Sequence, residues 1–283
     1  MFSRLIFWPW FAGLITLAGG LVAVRKSLAG AEGPEKLVAL GPVFFAAPLA
    51  VFGAEHWSNA PSIAQIVPRW MPAHMFWTYF VGLALITAAL SIASNIHSRL
   101  AAILLGTMFI CFVLMIHVPN VVSNPHNRIL WAVALRDLSF AGAALALAAT
   151  RYKPLRVIAR VFVGAPLLFF AVEHFLHPQF APGVPLGKLT PNWVPMGPVW
   201  GYLTGVALLV SGVTMLLPGR GKHARLAATL LGALITLLVL FVYLPIFLTA
   251  AQPALLEGIN YVGDTLLFGG TVLLAAGIMP DGG

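Results

Sequence analysis

Apolar residues in this chain come in long unbroken runs rather than in strict alternation. A helix that crosses the hydrocarbon core of a bilayer needs about 20 mostly apolar residues. Nine stretches meet that measure, at residues 5–24, 37–54, 73–94, 98–117, 128–149, 157–175, 197–217, 224–249 and 258–279. Short breaks of Pro, Gly and charge separate them, such as Gly30-Ala31-Glu32-Gly33-Pro34 and Pro218-Gly219-Arg220-Gly221-Lys222. Period-2 patterning, the mark of a membrane β-barrel, is missing. The pattern predicts an all-α polytopic membrane bundle of about nine helices, with no loop long enough for a soluble domain.

The same pattern repeats along the chain. Pro48-Leu49-Ala50-Val51-Phe52-Gly53-Ala54-Glu55-His56-Trp57 returns as Pro166-Leu167-Leu168-Phe169-Phe170-Ala171-Val172-Glu173-His174-Phe175. Trp70-Met71-Pro72 returns as Trp193-Val194-Pro195, and His117-Val118-Pro119 as Tyr243-Leu244-Pro245. Arg99–Gly106 (RLAAILLG) matches Arg225–Gly232 (RLAATLLG), Asp137 matches Asp264, and Gly142 matches Gly269. The offsets grow in small steps, as a duplication with loop insertions requires. The prediction is an N-terminal helix with its loop (1–36), a first four-helix repeat (37–150) and a second (151–283). Each repeat has an even number of spans, so the two run parallel, about an axis along the membrane normal.

Composition excludes a water-soluble enzyme. Of 283 residues, 60% are apolar and only 8% charged, against about 25% charged in a soluble domain. The net charge of +8 is a topology signal, not a sign of nucleic-acid binding. Arg25, Lys26, Lys36, Arg99, Arg151, Lys153, Arg156, Arg160, Arg220, Lys222 and Arg225 fall on one side of the predicted spans, while Arg4, Arg69, Arg128 and Lys188 fall on the other. The positive-inside bias predicts an inner-membrane protein with its N-terminus outside and its C-terminus cytoplasmic. Arg4 before an apolar run also suits a signal peptide, but Arg25-Lys26 directly after it and the lack of an A-x-A site favour a retained anchor. All eight Trp, and most His, gather towards the outer ends. The single cysteine, Cys111, excludes dithiol and iron–sulfur chemistry and is expected as a small buried hydrophobe.

Val67-Pro68-Arg69-Trp70-Met71-Pro72-Ala73-His74, followed by an aromatic span containing Gly82, resembles DoxX-like membrane proteins. So does the four-span unit with its basic break before Arg99. The resemblance covers 37–150 well and 157–279 less closely, with Pro191-Asn192-Trp193-Val194-Pro195 replacing the first loop. It implies four-helix units associated with membrane oxidoreductases, among them subunits of a thiosulfate:quinone oxidoreductase. A fused tandem with an extra N-terminal span departs from that pattern.

Acidic side chains inside a bilayer cost about 2.5–3.5 kcal/mol each at its centre, so repeated ones are informative. Glu55, His56, Glu173, His174, Asp137 and Asp264 are the candidate polar or proton-handling residues. Trp70, Trp193, His117 and Arg136 are secondary candidates for cofactor contact. Imidazole and carboxylate can hold a quinone carbonyl, shuttle protons or bind metal. The Glu-x-x-His spacing of di-iron bundles is absent, so no metal site is predicted; the resemblance, with the repeated Glu-His pair, implies quinone ahead of haem or metal. Pairing with Arg136 would make Asp137 and Asp264 structural. The leading expectation is a quinone-linked redox component with an outer-facing polar site, partnered by lipid and by other oxidoreductase subunits. A non-catalytic structural or assembly subunit is the alternative, and a small-solute transporter the third.

Overall fold

A computed structural model describes residues 4–149, 152–251 and 254–280; Arg151 of the charge pattern lies outside them. The described residues form twelve α-helices: α1 (Arg4–Gly30), α2 (Glu35–Ser58), α3 (Ala60–Ile63), α4 (His74–Ser94), α5 (Ser98–Phe112), α6 (Val118–Ser123), α7 (Arg128–Ala148), α8 (Lys153–Leu176), α9 (Gly197–Leu216), α10 (Gly221–Leu238), α11 (Leu244–Thr249) and α12 (Leu255–Gly277). Nine helical segments among them are long and apolar enough to cross a membrane, as the hydropathy pattern predicts. The boundaries differ by a few residues. In particular, α2 runs on through Glu55 and His56 to Ser58, so this pair stands in the final turns of a helix.

α5 and α10 both end in a wide π-turn, at Val113–His117 and Val239–Tyr243. Each π-turn is followed by a six-residue helix with Pro119 or Pro245 in its first turn. Proline has no N–H to donate, and its ring crowds the carbonyl four residues back. One extra residue taken into the turn relieves both conflicts and resets the face that the following residues present.

The helices alternate in direction. At one end Ser58 Oγ donates to Leu5 O, joining the end of α2 to the start of α1. At the other end Arg225, from the start of α10, pairs with Glu35 and donates to the carbonyls of Ala276 and Met279. Within the set α2-α4-α5-α7, α2 packs on α4 and α5 on α7; within α8-α9-α10-α12, α8 packs on α9 and α10 on α12. The last helix of each quartet lies against the first of the other, α12 on α2 and α7 on α8, and α7 meets α12 at the centre. α1 lies outside both, along α2 and α4, with the Trp10 and Phe247 rings tilted against each other, their centroids 4.8 Å apart.

Small residues let these backbones approach, as in membrane helix pairs generally. A Cβ on Gly142 would stand 2.8 Å from Phe162 Cβ and 3.1 Å from Ala159 O of α8. The corresponding contact between α12 and α2 is made by Gly270, whose Cβ would collide with the backbone of Phe44 and Phe45. Gly269, the sequence match of Gly142, faces Ile235 of α10 instead.

Candidate functional site

Arg136 stands where α7 meets α12 and links the two matched aspartates. Its Nε donates to Asp137 Oδ1 at 3.0 Å and its Nη1 to Asp264 Oδ2 at 2.8 Å. The other carboxylate oxygen of Asp137 accepts from His117 Nε2, at 2.8 Å. That nitrogen is the donor because Asp137, ionised beside Arg136, only accepts. His117 reaches this point from the end of the first π-turn. The result is a continuous chain from His117 through Asp137 and Arg136 to Asp264, joining α5, α7 and α12.

Glu55, 8% exposed, accepts from Asn260 Nδ2 of α12 at 3.2 Å. Because the carboxylate takes the amide N–H, Asn260 Oδ1 points elsewhere, and it is buried with no hydrogen-bond partner among the described residues. His56, next along α2, donates from Nδ1 to Phe52 O at 2.7 Å. Gly82 of α4 makes room for it: a Cβ there would stand 2.9 Å from His56 Cβ.

All of these groups line one cavity of about 1140 Å³. Glu55, His56, His117, Arg136, Asp137, Asn260 and Asp264 form its polar end, while Leu85, Ala88, Leu104, Met108 and their neighbours on α4 and α5 form a long apolar wall. Phe80, Leu104 and Cys111 line it and are exposed on the outer surface as well, so the crevice opens sideways between α4 and α5. Such a space suits a molecule with a compact polar head and an apolar tail.

Asp264 apart, the matched residues Glu173, His174 and Tyr243 of the second quartet do not reach this cavity. Glu173 pairs with Arg128 at the start of α7, 3.1 Å away. His174 donates from Nδ1 to Phe170 O at 2.7 Å, repeating the His56 geometry, but its Nε2 accepts the N–H of Gly183 at 3.1 Å. Tyr243, standing where the first quartet has His117, donates to Pro182 O at 2.7 Å. The Glu-His pairs therefore serve different surroundings: Glu55-His56 borders open space, and Glu173-His174 is enclosed.

Several expected contacts fall elsewhere. Trp70 is 70% exposed and Trp193 52% exposed, and neither lines the cavity; Trp77 does. Their loops instead hold the chain for the next helix, with Ala73 and Met196 at positive φ just before α4 and α9. Cys111 is exposed, contrary to the buried hydrophobe expected of it, because α5 turns that face outwards beside the crevice. Among the described residues no three His, Cys, Asp or Glu side chains converge on a metal-sized site. Asn260 carried no signal in the sequence, since its match in the first half, Val133, is apolar.

A family model described as a domain of unknown function (DUF8561) matches residues 45–129. The match runs from the middle of α2 to the first residues of α7, so it contains Glu55, His56 and His117 and stops short of Arg136 and Asp137. No curated protein and no solved structure matches the chain.

Proposed function

We propose that this chain is a quinone-linked component of a membrane oxidoreductase system, built as a tandem of two DoxX-like four-helix units behind an N-terminal helix. The observation that carries the reading is the Asp137–His117 pair at the polar end of a crevice with a long apolar wall open to one side. A lipid quinone needs that combination: a slot for its tail and polar groups for its ring oxygens. Among the described residues Asn260 Oδ1 has no hydrogen-bond partner and the second nitrogen of His117 is not bonded, and both supply polar capacity for such a head.

Reduction or oxidation of a quinone moves two protons with two electrons. Asp137 holds His117 by Nε2–H, leaving Nδ1 as the nitrogen that takes or gives one of the two protons, the other passing to or from water in the crevice, and its carboxylate stabilises the imidazolium so formed. Arg136 keeps Asp137 ionised for that role and anchors it to Asp264. Electrons come from or go to a redox centre carried by a partner subunit. By the positive-inside rule the polar end faces the outside of an inner membrane, with the N-terminus on that side and the C-terminus in the cytoplasm.

The test is to extract lipids from the purified full-length protein and quantify quinone. We expect near-stoichiometric quinone in the wild type and roughly tenfold less in His117→Ala, a loss in keeping with one buried polar contact. A wild-type preparation with no quinone, which also fails to bind added decylquinone, sinks the reading. A second reading, a non-catalytic structural or assembly subunit, is favoured by the pairing of Arg136 with both aspartates and of Arg128 with Glu173. It predicts that cavity variants leave assembly with partner subunits intact only where these ion pairs survive.

A further inference from the structure

The two histidines of the Glu-His pairs have the same internal geometry and different company. In each, Nδ1 lies 2.7 Å from the carbonyl oxygen four residues back, that of Phe52 or Phe170. A carbonyl only accepts, so Nδ1 carries the proton in both. In His174 the other nitrogen, Nε2, accepts the N–H of Gly183, which requires it to be an unprotonated lone pair. The ring is neutral, with its tautomer set by the backbone. His56 has the same backbone partner, and among the described residues no donor is bonded to its Nε2.

What fills the place beside His174 is one peptide group. The N–H of the Pro182–Gly183 peptide donates to His174 and its carbonyl accepts from Tyr243. The whole stretch Ala181–Pro185 is buried. Gly183 has φ +129°, a backbone conformation that L side chains rarely adopt, and a Cβ there would stand 3.6 Å from Tyr243 Oη. The stretch is clamped from outside. Arg128 donates to the carbonyls of Pro185 and Leu186 at 3.0 and 3.1 Å, and Phe180 lies against its guanidinium. A short antiparallel bridge, Phe180 with Leu189, closes its base. The chain after α2 has no such insertion, and the matching space opens into the cavity.

We infer that the Pro182–Gly183 peptide is a built-in stand-in for a ligand's polar head, so that only the first quartet binds ligand, and that its site selects a hydrogen-bond donor. This rests on the quinone reading above and names the form taken: the quinol, whose hydroxyl donates to His56 Nε2 as the Gly183 N–H donates to His174. The unpartnered Asn260 Oδ1 is a second acceptor at the same polar end, across α2 and α12, and a quinone carbonyl can satisfy neither. The analogy is confined to the histidine side. Tyr243 is a free hydroxyl donor to the peptide, whereas His117 is held by Asp137.

The experiment is calorimetric titration of the full-length protein in nanodiscs, under reducing anaerobic conditions for the quinol. The probes are a decyl-benzoquinol, its dimethyl ether and, in a parallel oxidised run, the parent quinone. We expect one site per chain, with the quinol bound roughly tenfold or more tighter than the other two, the consequence of leaving a buried acceptor unpaired. His56→Leu should erase that preference and His56→Gln, whose amide oxygen accepts, should restore part of it. If His56→Leu does not fold, the three probes on the wild type and on His56→Gln decide. Equal affinity for all three probes, or two sites per chain, overturns the inference and leaves the quinone reading standing. Failure of every probe to bind overturns the quinone reading itself.

Discussion

Arg136 is the residue on which the interior depends most directly. Two carboxylates, Asp137 and Asp264, share its guanidinium, and no other described cation bonds Asp264. Removing one partner of a buried ion pair typically costs about 3–5 kcal/mol, because it leaves a charge uncompensated. Arg136→Gln is therefore expected to lower the thermal midpoint in detergent sharply. Arg136→Gln combined with Asp264→Asn should recover part of the loss by removing the stranded charge, and no recovery would show that the pair is not the source. Arg128→Met acts differently: it frees Glu173 and drops the carbonyls of Pro185 and Leu186. It should raise proteolytic cleavage between Phe180 and Leu189 while leaving quinol binding at the first quartet unchanged.

Among the elements, α12 closely approaches α2, where Gly270 meets the backbone of Phe44 and Phe45 with no room for a side chain. Gly270→Leu must separate the two helices, and overpacking of this kind costs about 1–3 kcal/mol. Among the described residues, no atom outside the neighbouring turns of α1 lies within 4 Å of the Cβ position of Gly19. Gly19→Ala should change stability by no more than about 1 kcal/mol, in the favourable direction if helix propensity dominates. A melting comparison of the two variants checks the packing scheme, and equal effects would contradict it. The nine spans were legible because each needs only length and hydropathy. The π-turns were not. They arise from a proline whose conflict is with the carbonyl one turn earlier, and a hydropathy window averages that away.

At the scale of the molecule, each quartet completes the other. α2 rests on α12 and α7 on α8, so neither quartet alone covers its inner helices. Glu55 finds its partner Asn260, and Glu173 its partner Arg128, across that junction. Segments 1–150 and 151–283, expressed together as separate chains, are expected to co-purify as a stable pair, and each expressed alone should be degraded or aggregate. Recovery of either half as a stable monomer would show that the junction is dispensable.

The amino-acid sequence alone determined the class, the number of spans and the residues worth watching. Bilayer crossing depends on local length and apolarity, and scarce charges in apolar runs stand out unaided. Pairing Asp137 and Asp264 with Arg136 could also be anticipated, because a buried acid needs a partner and the nearest cation was one residue away. Only the tertiary structure decided that the two Glu-His pairs have unlike fates. The motifs are near copies, yet one histidine borders a crevice and the other is capped by a peptide from a loop nine residues further along. Hydrogen bonds of that kind depend on where a loop folds back in space, and the apolar and polar pattern along a chain does not encode it.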